Sequence, residues 1–325
     1  MAAACAAPHL GTGCGNRFQP GGRAGRRIHA ALVVPVRDFR AAGLSCVASG
    51  RVRGTDTVRT DSFAPLGTPL SVRLGPNPGG RDLVVGDLHG HFATLRRALD
   101  ELEVGRDDRL FSLGDLIDRG PRSFEAKAWI EGPGFHLVLR GNHEQLMLEA
   151  LDEVGELPPG RLPGTDAWAL WQMNGGNWWH FRNAEDSAER WMAVLRTLPF
   201  AARVETPHGP VGLVHACPVH PSWQELENAL EGDAPASHLA RTRAIWSRVY
   251  HGWLQREIGE TGGEYLGPIE GVRAVLTGHT SCRQPTWHGN ILGIDTGVHI
   301  DRPGYGRLTI ARIDGKEVET FSFDR

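Results

Sequence analysis

Lysine is nearly absent from this chain of 325 residues: Lys127 and Lys316 are the only two, and arginine carries the rest of the basic charge. We read that imbalance as coding bias rather than chemistry. With a net charge of −3, the chain has no global attraction to nucleic acid. Cysteine is also scarce. Cys5, Cys14, Cys46, Cys217 and Cys282 are odd in number and never spaced as Cys-x-x-Cys. That argues against a disulfide framework or zinc ribbon and suits a reducing cytoplasm. No apolar run approaches the roughly 20 residues of a membrane span. The nearest, Ile28–Val36, contains Pro35 and runs into Arg37, Asp38 and Arg40, which makes a poor signal peptide.

What is present is unevenly spread. Residues 1–53 hold eight arginines against one aspartate, a net of +7 that leaves −10 for the remainder. This stretch is rich in Ala and Gly and has no clear period, so we expect a disordered extension or sequence ahead of the true start. Residues 54–79 read as a lead-in that ends in the turn-rich Gly75-Pro76-Asn77-Pro78-Gly79-Gly80. Residues 80–325 form the expected folded domain.

From there the pattern is regular. Leu83-Val84-Val85 is a short apolar strand, Gly86–Gly90 a loop, and Phe92, Leu95, Leu99 and Leu102 mark one face of a helix over 92–102. Two more units follow: strand 110–113, loop 114–120, helix 122–130; then strand 136–139, loop 140–143, helix 144–151. Three successive units of this kind argue for an α/β fold around a buried sheet, with polar loops at the strands' carboxyl ends, where such sheets place ligands. Further strands are expected at 211–214, 274–276 and 291–294, with a closing hairpin of 308–313 and 318–323. Residues 168–191 hold Trp168, Trp171, Trp178, Trp179 and Trp191. They predict a helical insert, about 152–200, packing a small core of its own.

The loops are rich in ligand types. Asp87 and His89 share the first, Asp115, Asp118 and Arg119 the second, Asn142 and His143 the third, and His215 and His279 end later strands. Mixed oxygen and nitrogen donors suit Mn²⁺, Fe²⁺ or Zn²⁺ better than Ca²⁺ or Mg²⁺. Any one of these residues alone would more often be a hydrogen-bonded structural group.

Together they are specific. Gly86-Asp87-Leu88-His89-Gly90, Gly114-Asp115-Leu116-Ile117-Asp118-Arg119-Gly120 and Gly141-Asn142-His143-Glu144 resemble the three signature motifs of the phosphoprotein phosphatase family of metallophosphatases. Val214-His215-Ala216 and Gly278-His279-Thr280 resemble its two later histidine motifs, and Trp246-Ser247-Arg248 the arginine motif of its compact bacterial and phage-type members. The resemblance implies a calcineurin-like metallophosphoesterase fold, a β-sandwich of mixed sheets flanked by helices. It implies two divalent cations, Mn²⁺ first among candidates, held by Asp87, His89, Asp115, Asn142, His215 and His279, with Asp115 bridging. A water between the cations would attack phosphorus in line. His143, held by Asp118, would protonate the leaving alkoxide, while Arg119, Arg248 and Asn142 would grip phosphate.

The implied activity is hydrolysis of phosphoserine and phosphothreonine, with phosphotyrosine as a further candidate. A phosphoprotein is then the expected partner, without nucleic acid or membrane. The alternative is a symmetrical dinucleoside tetraphosphatase of the same superfamily. Those enzymes usually carry Trp after the final Gly-His, where this chain has Thr280. Arg140 is expected in a buried ion pair, Glu144 at a helix start, His91 on the surface, and Cys217 and Cys282 as inert core.

Overall fold

The computed structural model describes residues 69–154, 164–181, 187–249 and 267–325. The expectation for residues 1–53 falls outside them. After Asp82, strand β2 (Asp82–Val85) is apolar without alternation because both of its faces are covered. Leu83 and Val85 point into one core and Val84 into another. The same division runs through β3 (Arg109–Ser112), β6 (Val211–Val214) and β7 (Ala274–Thr277).

Two mixed sheets result. One has five strands in the order β11 (Glu319–Asp324), β10 (Arg307–Arg312), β2, β3, β4 (Leu137–Val138), with β2, β3 and β4 parallel and the hairpin partner β10 antiparallel to β2. The other has six, in the order β1 (Ser71–Leu74), β5 (Ala201–Val204), β6, β7, β9 (Ile291–Gly293), β8 (Thr286–His288). Val84, Phe111 and Leu139 of the first meet Val204, Leu213 and Leu276 of the second in the shared core. Each such side chain removed from water contributes about 1.5–3 kcal/mol.

Helices cover the outer faces. α1 (Phe92–Glu101), α2 (Ala126–Glu131) and α3 (Asn142–Val154) pack on the first sheet, and α6 (Trp223–Leu230) and α7 (Pro235–Trp246) on the second. The architecture is the expected β-sandwich flanked by helices.

Three local expectations need correction. Residues 71–74, read as lead-in, form β1, paired parallel with β5. Helix α3 starts at Asn142 rather than 144, which puts Asn142 and His143 in its first turn. The tryptophan-rich insert, comprising α4 (Asp166–Met173), a 3₁₀ turn (Gly176–Phe181) and α5 (Ala188–Leu195), has no separate core. Trp168, Trp171, Trp179 and Trp191 join the cluster that holds Leu83, Leu146 and Leu151.

An ion pair fixes the entry to the first sheet. Asp108 accepts from the Arg81 guanidinium, at 2.7 Å from Nη2, and from the backbone N–H groups of Arg81 and Gly105. The Arg81 guanidinium also donates to the carbonyls of Leu102 and Glu103 at the end of α1. The hydrogen bond from Arg81 is the main cause that brings the Asp108 carboxyl down to about 2. A depressed carboxyl stabilises the fold above its unfolded pKa of about 4, and that contribution is lost as pH falls through the folded value. Asp108→Asn is therefore expected to cost about 1–2 kcal/mol at pH 7 in urea unfolding and nothing near pH 2. An equal cost at both pH values would refute the assignment.

Candidate metal centre

Every loop singled out in the sequence lies at a strand's carboxyl end, and the two sheets bring those ends together. Residues 86–90, 113–120 and 139–143 follow β2, β3 and β4; His215 follows β6 and His279 follows β7 just after Gly278. The turns are tight enough to force left-handed backbone on residues with side chains. Among the described residues, six non-glycines have positive φ, and five are His89 (43°), Asp115 (53°), Asp118 (70°), Arg119 (63°) and His279 (63°). Each costs about 1–2 kcal/mol relative to right-handed backbone, a strain that concentrates where function holds it.

Three histidines are set up alike. The Nδ1–H of His89 donates to the Ile117 carbonyl at 2.9 Å, and that of His215 to the Leu113 carbonyl at 2.9 Å. The Nε2–H of His279 donates to the Trp246 carbonyl at 3.1 Å. A carbonyl only accepts, so each bond fixes the tautomer and leaves the other ring nitrogen a lone pair. Those lone pairs meet other acceptors. Nε2 of His215 and Nδ1 of His279 lie 3.0 Å and 2.8 Å from Oδ1 of Asn142. Nε2 of His215 is 3.4 Å, and Nε2 of His89 3.7 Å, from the Asp115 carboxylate. Acceptors facing acceptors are what a shared cation would satisfy, and backbone-anchored imidazoles are the usual support of metal ligands.

The donors form two groups with one member in common: His89, Asp115 and His143, and Asp115, His215 and His279. Burial presses the same way on all of them. It holds His89 and His279 well below the ordinary imidazole value and brings His215 to about 3, so all three are neutral. It raises Asp87 and Asp115, and neighbouring carboxylates (Asp295 and Asp115 for Asp87, Glu144 for Asp115) raise them further. Clustered dry carboxylates beside neutral imidazoles fit divalent cations.

Asp87 accepts the His279 N–H at 3.0 Å on both carboxylate oxygens. A side chain at Gly278 would have its Cβ 2.1 Å from Asp87 Oδ1, so only glycine allows this approach. Asp295 lies against the same group and spends its oxygens on the Gly297 N–H and the Ser281 hydroxyl, which makes it a turn-former.

The second and third loops are joined by a residue underrated from sequence. Glu144 is wholly buried and accepts from three backbone N–H groups: Leu116 on Oε1, and Asp115 and Gly141 on Oε2, at 2.8–2.9 Å. It does more than mark a helix start. Its position three residues into the Gly141 motif was the available signal.

His143 and Asp118 pair as expected, with Nδ1 2.7 Å from Oδ2. The opposite nitrogen, Nε2, is buried without a hydrogen-bond partner. Burial, then Arg119 and Arg248, hold His143 well below its ordinary value, while burial raises Asp118 to about 7 against the indole N–H groups of Trp178 and Trp171. Arg119 is exposed, and its Nη1 lies 3.2 Å from Nε2 of both His89 and His299. No motif or period pointed to His299. Arg248 donates to the His279 carbonyl and the Thr280 hydroxyl at 3.1 Å and 3.2 Å. Arg140 is structural, but its partners include Gln145 and the carbonyls of Leu195 and Arg196, with the guanidinium over the Phe200 ring, rather than the expected carboxylate alone. The Cys282 thiol is pushed up to about 12 by burial, and Cys217 is buried, so both are inert.

The chain is similar to known proteins. The family model for the calcineurin-like phosphoesterases matches residues 81–283. Serine/threonine-protein phosphatase 1 of Salmonella typhimurium is 32% identical over 239 residues, 71% of this chain and 90% of that protein. A symmetrical bis(5'-nucleosyl)-tetraphosphatase of Aeromonas hydrophila is 31% identical over 160 residues, 46% of this chain and 52% of that protein. A solved Saccharomyces cerevisiae protein serine/threonine phosphatase superposes with a TM-score of 0.48 at 18% identity, covering 79% of this chain and 84% of its own. The buried ligand cluster and the family match lead to one conclusion: the chain belongs to the calcineurin-like phosphoesterases.

Proposed function

We propose that this phosphoesterase is a protein phosphatase that hydrolyses phosphoserine and phosphothreonine esters, with phosphotyrosine within reach, and uses two divalent cations. The carrying observation is the trio of backbone-anchored histidines whose free nitrogens converge around Asp115 and Asn142. Asp87, His89 and Asp115 would hold one cation and Asp115, Asn142, His215 and His279 the other, Mn²⁺ fitting this donor set well. When bound, the cations supply Lewis acidity: they ease deprotonation of water and offset charge on the phosphoryl oxygens.

The chain's own groups do the rest. Arg119 and Arg248 stand at the exposed mouth, where guanidinium forks can grip phosphate oxygens. His143 directs Nε2 into the site to protonate the leaving oxygen, and the phosphate dianion favours the imidazolium that burial disfavours. Asp118 holds the ring from behind.

Substrate class rests on Thr280 and on the relatives. The Thr280 hydroxyl accepts from Arg248, which an indole cannot do. The phosphatase relative is 32% identical over 239 residues, whereas a symmetrical tetraphosphatase matched over most of its length is 25% identical over 277. Dinucleoside tetraphosphate hydrolysis is kept as the second reading because symmetrical tetraphosphatases are also among the relatives matched. We place the protein in a reducing cytoplasm, to which its few cysteines, never spaced as Cys-x-x-Cys, are suited.

Purified protein should hydrolyse an aryl phosphate with Mn²⁺ and fall silent with chelator; inactivity under every divalent cation would refute the reading. A phosphoserine peptide should be turned over faster than a dinucleoside tetraphosphate, and the reverse order would transfer the assignment to the second reading. His143→Asn should lower turnover of the phosphoserine peptide about 10²–10⁴-fold and of an aryl phosphate much less, since an aryl oxide leaves without protonation. Equal losses would remove His143 from the role.

A further inference from the structure

The tryptophan-rich insert reaches the reaction centre at Asp118. Trp178 Nε1–H donates to Asp118 Oδ1 at 2.6 Å. Trp171 Nε1–H lies 3.2 Å from Oδ1 and 3.1 Å from Oδ2. The remaining contact of Oδ2 is Nδ1 of His143 at 2.7 Å. Asp118 is wholly buried, so these three donors replace the water that would otherwise solvate and orient it.

The insert also presses on the neighbouring residue. A Cβ on Gly175 (φ +108°) would sit 2.6 Å from the Arg119 backbone nitrogen and 3.1 Å from its Cγ. The turn between α4 and the 3₁₀ segment is thus packed against Arg119, as Trp171 and Trp178 are bonded to Asp118. Asp118 and Arg119 are two consecutive residues in left-handed backbone, an arrangement that needs outside support.

We propose that Trp171 and Trp178 are positioning residues of the proton-donor pair: their indole N–H groups clamp the Asp118 carboxylate so that Oδ2 faces His143, and the Gly175 turn props Arg119 toward the phosphate. This inference rests on the hydrolytic reading above. The insert is then a support for leaving-group protonation, built from residues that touch neither substrate nor cation. Without the clamp the carboxylate is free to rotate about its last bond, and the His143 ring loses its fixed direction. A leaving group that needs a proton suffers most.

The test uses the full chain with Mn²⁺ and two substrates, a phosphoserine peptide and p-nitrophenyl phosphate. Wild type, His143→Asn, Trp178→Phe and Trp171→Phe are compared. Phe keeps the ring and removes the N–H. Trp178→Phe is expected to lower the peptide-to-aryl kcat ratio about 10-fold, in the direction of His143→Asn, through loss of oriented proton donation. KM for the aryl ester should change little. Trp171→Phe should act in the same direction. Because Trp171 is wholly buried, its variant also loses packing, so Trp178→Phe, at a partly exposed position, decides the case. Gly175→Ala should instead raise KM for both esters through Arg119. An unchanged ratio in Trp178→Phe, whether both activities fall together or neither falls, overturns the inference while an active wild type leaves the hydrolytic reading standing. An inactive wild type overturns both.

Discussion

Asp115→Asn is expected to lower hydrolysis of every phosphate ester, aryl and alkyl alike, by more than about 100-fold, because Asp115 is the member common to both ligand groups. The substitution is nearly isosteric. Oδ1 can still accept the His143 N–H that it receives at 3.0 Å. What disappears is the charge, together with one acceptor oxygen. The same change relieves a cost: Asp115 is buried beside Glu144 and Asp118, and these carboxylates raise its pKa after burial itself. The metal-free variant should therefore be at least as stable as the metal-free wild type. Added Mn²⁺ should raise the wild-type Tm, since a ligand that binds only the folded state stabilises it, and should do so much less in the variant. Two measurements check this: metal bound per chain and the Mn²⁺-induced Tm shift. An unchanged Tm shift with unchanged turnover would remove Asp115 from the centre.

The second large effect falls on Glu144. Its carboxylate accepts three buried backbone N–H groups that belong to two different loops. Glu144→Ala leaves all three without a partner, and each buried unsatisfied donor costs about 1–3 kcal/mol, so a total loss of about 3–5 kcal/mol is expected after some relaxation. Glu144→Gln keeps one acceptor but turns an amide NH₂ toward N–H donors, and should lie between alanine and wild type. Urea unfolding gives the stability. Turnover under folding conditions gives the functional part, since the donors anchor Asp115 and the turn before Asn142. A wild-type unfolding midpoint in Glu144→Ala would show that the loops are held together by other means.

How legible this was varies by residue. β2, β6 and β7 were readable because short, largely apolar runs ending at glycine or histidine loops have few alternatives. β1 was not: Ser71-Val72-Arg73-Leu74 is half-polar and follows directly on an unpatterned stretch, and it becomes a strand only because β5 offers it an edge. The start of α3 was placed two residues late because Asn142 is a poor interior helix former. Its place in the first turn is set by Glu144 and by the Asp115 oxygen that takes the His143 N–H.

By itself, the sequence determined the chemistry on offer: Asp, Asn and His at the ends of successive strands, arginines beside them, and no cysteine among the donors. Those features are local, so motif and spacing carry them. Only the tertiary structure decided which nitrogen of each histidine faces the centre, because carbonyls at Ile117, Leu113 and Trp246, from 28 to 102 positions away, choose the tautomer. It also decided that Trp171 and Trp178 close on Asp118 across 53 and 60 positions, and that His299 joins Arg119 across 180. Such contacts arise when separate layers pack together, and no period along the chain encodes them.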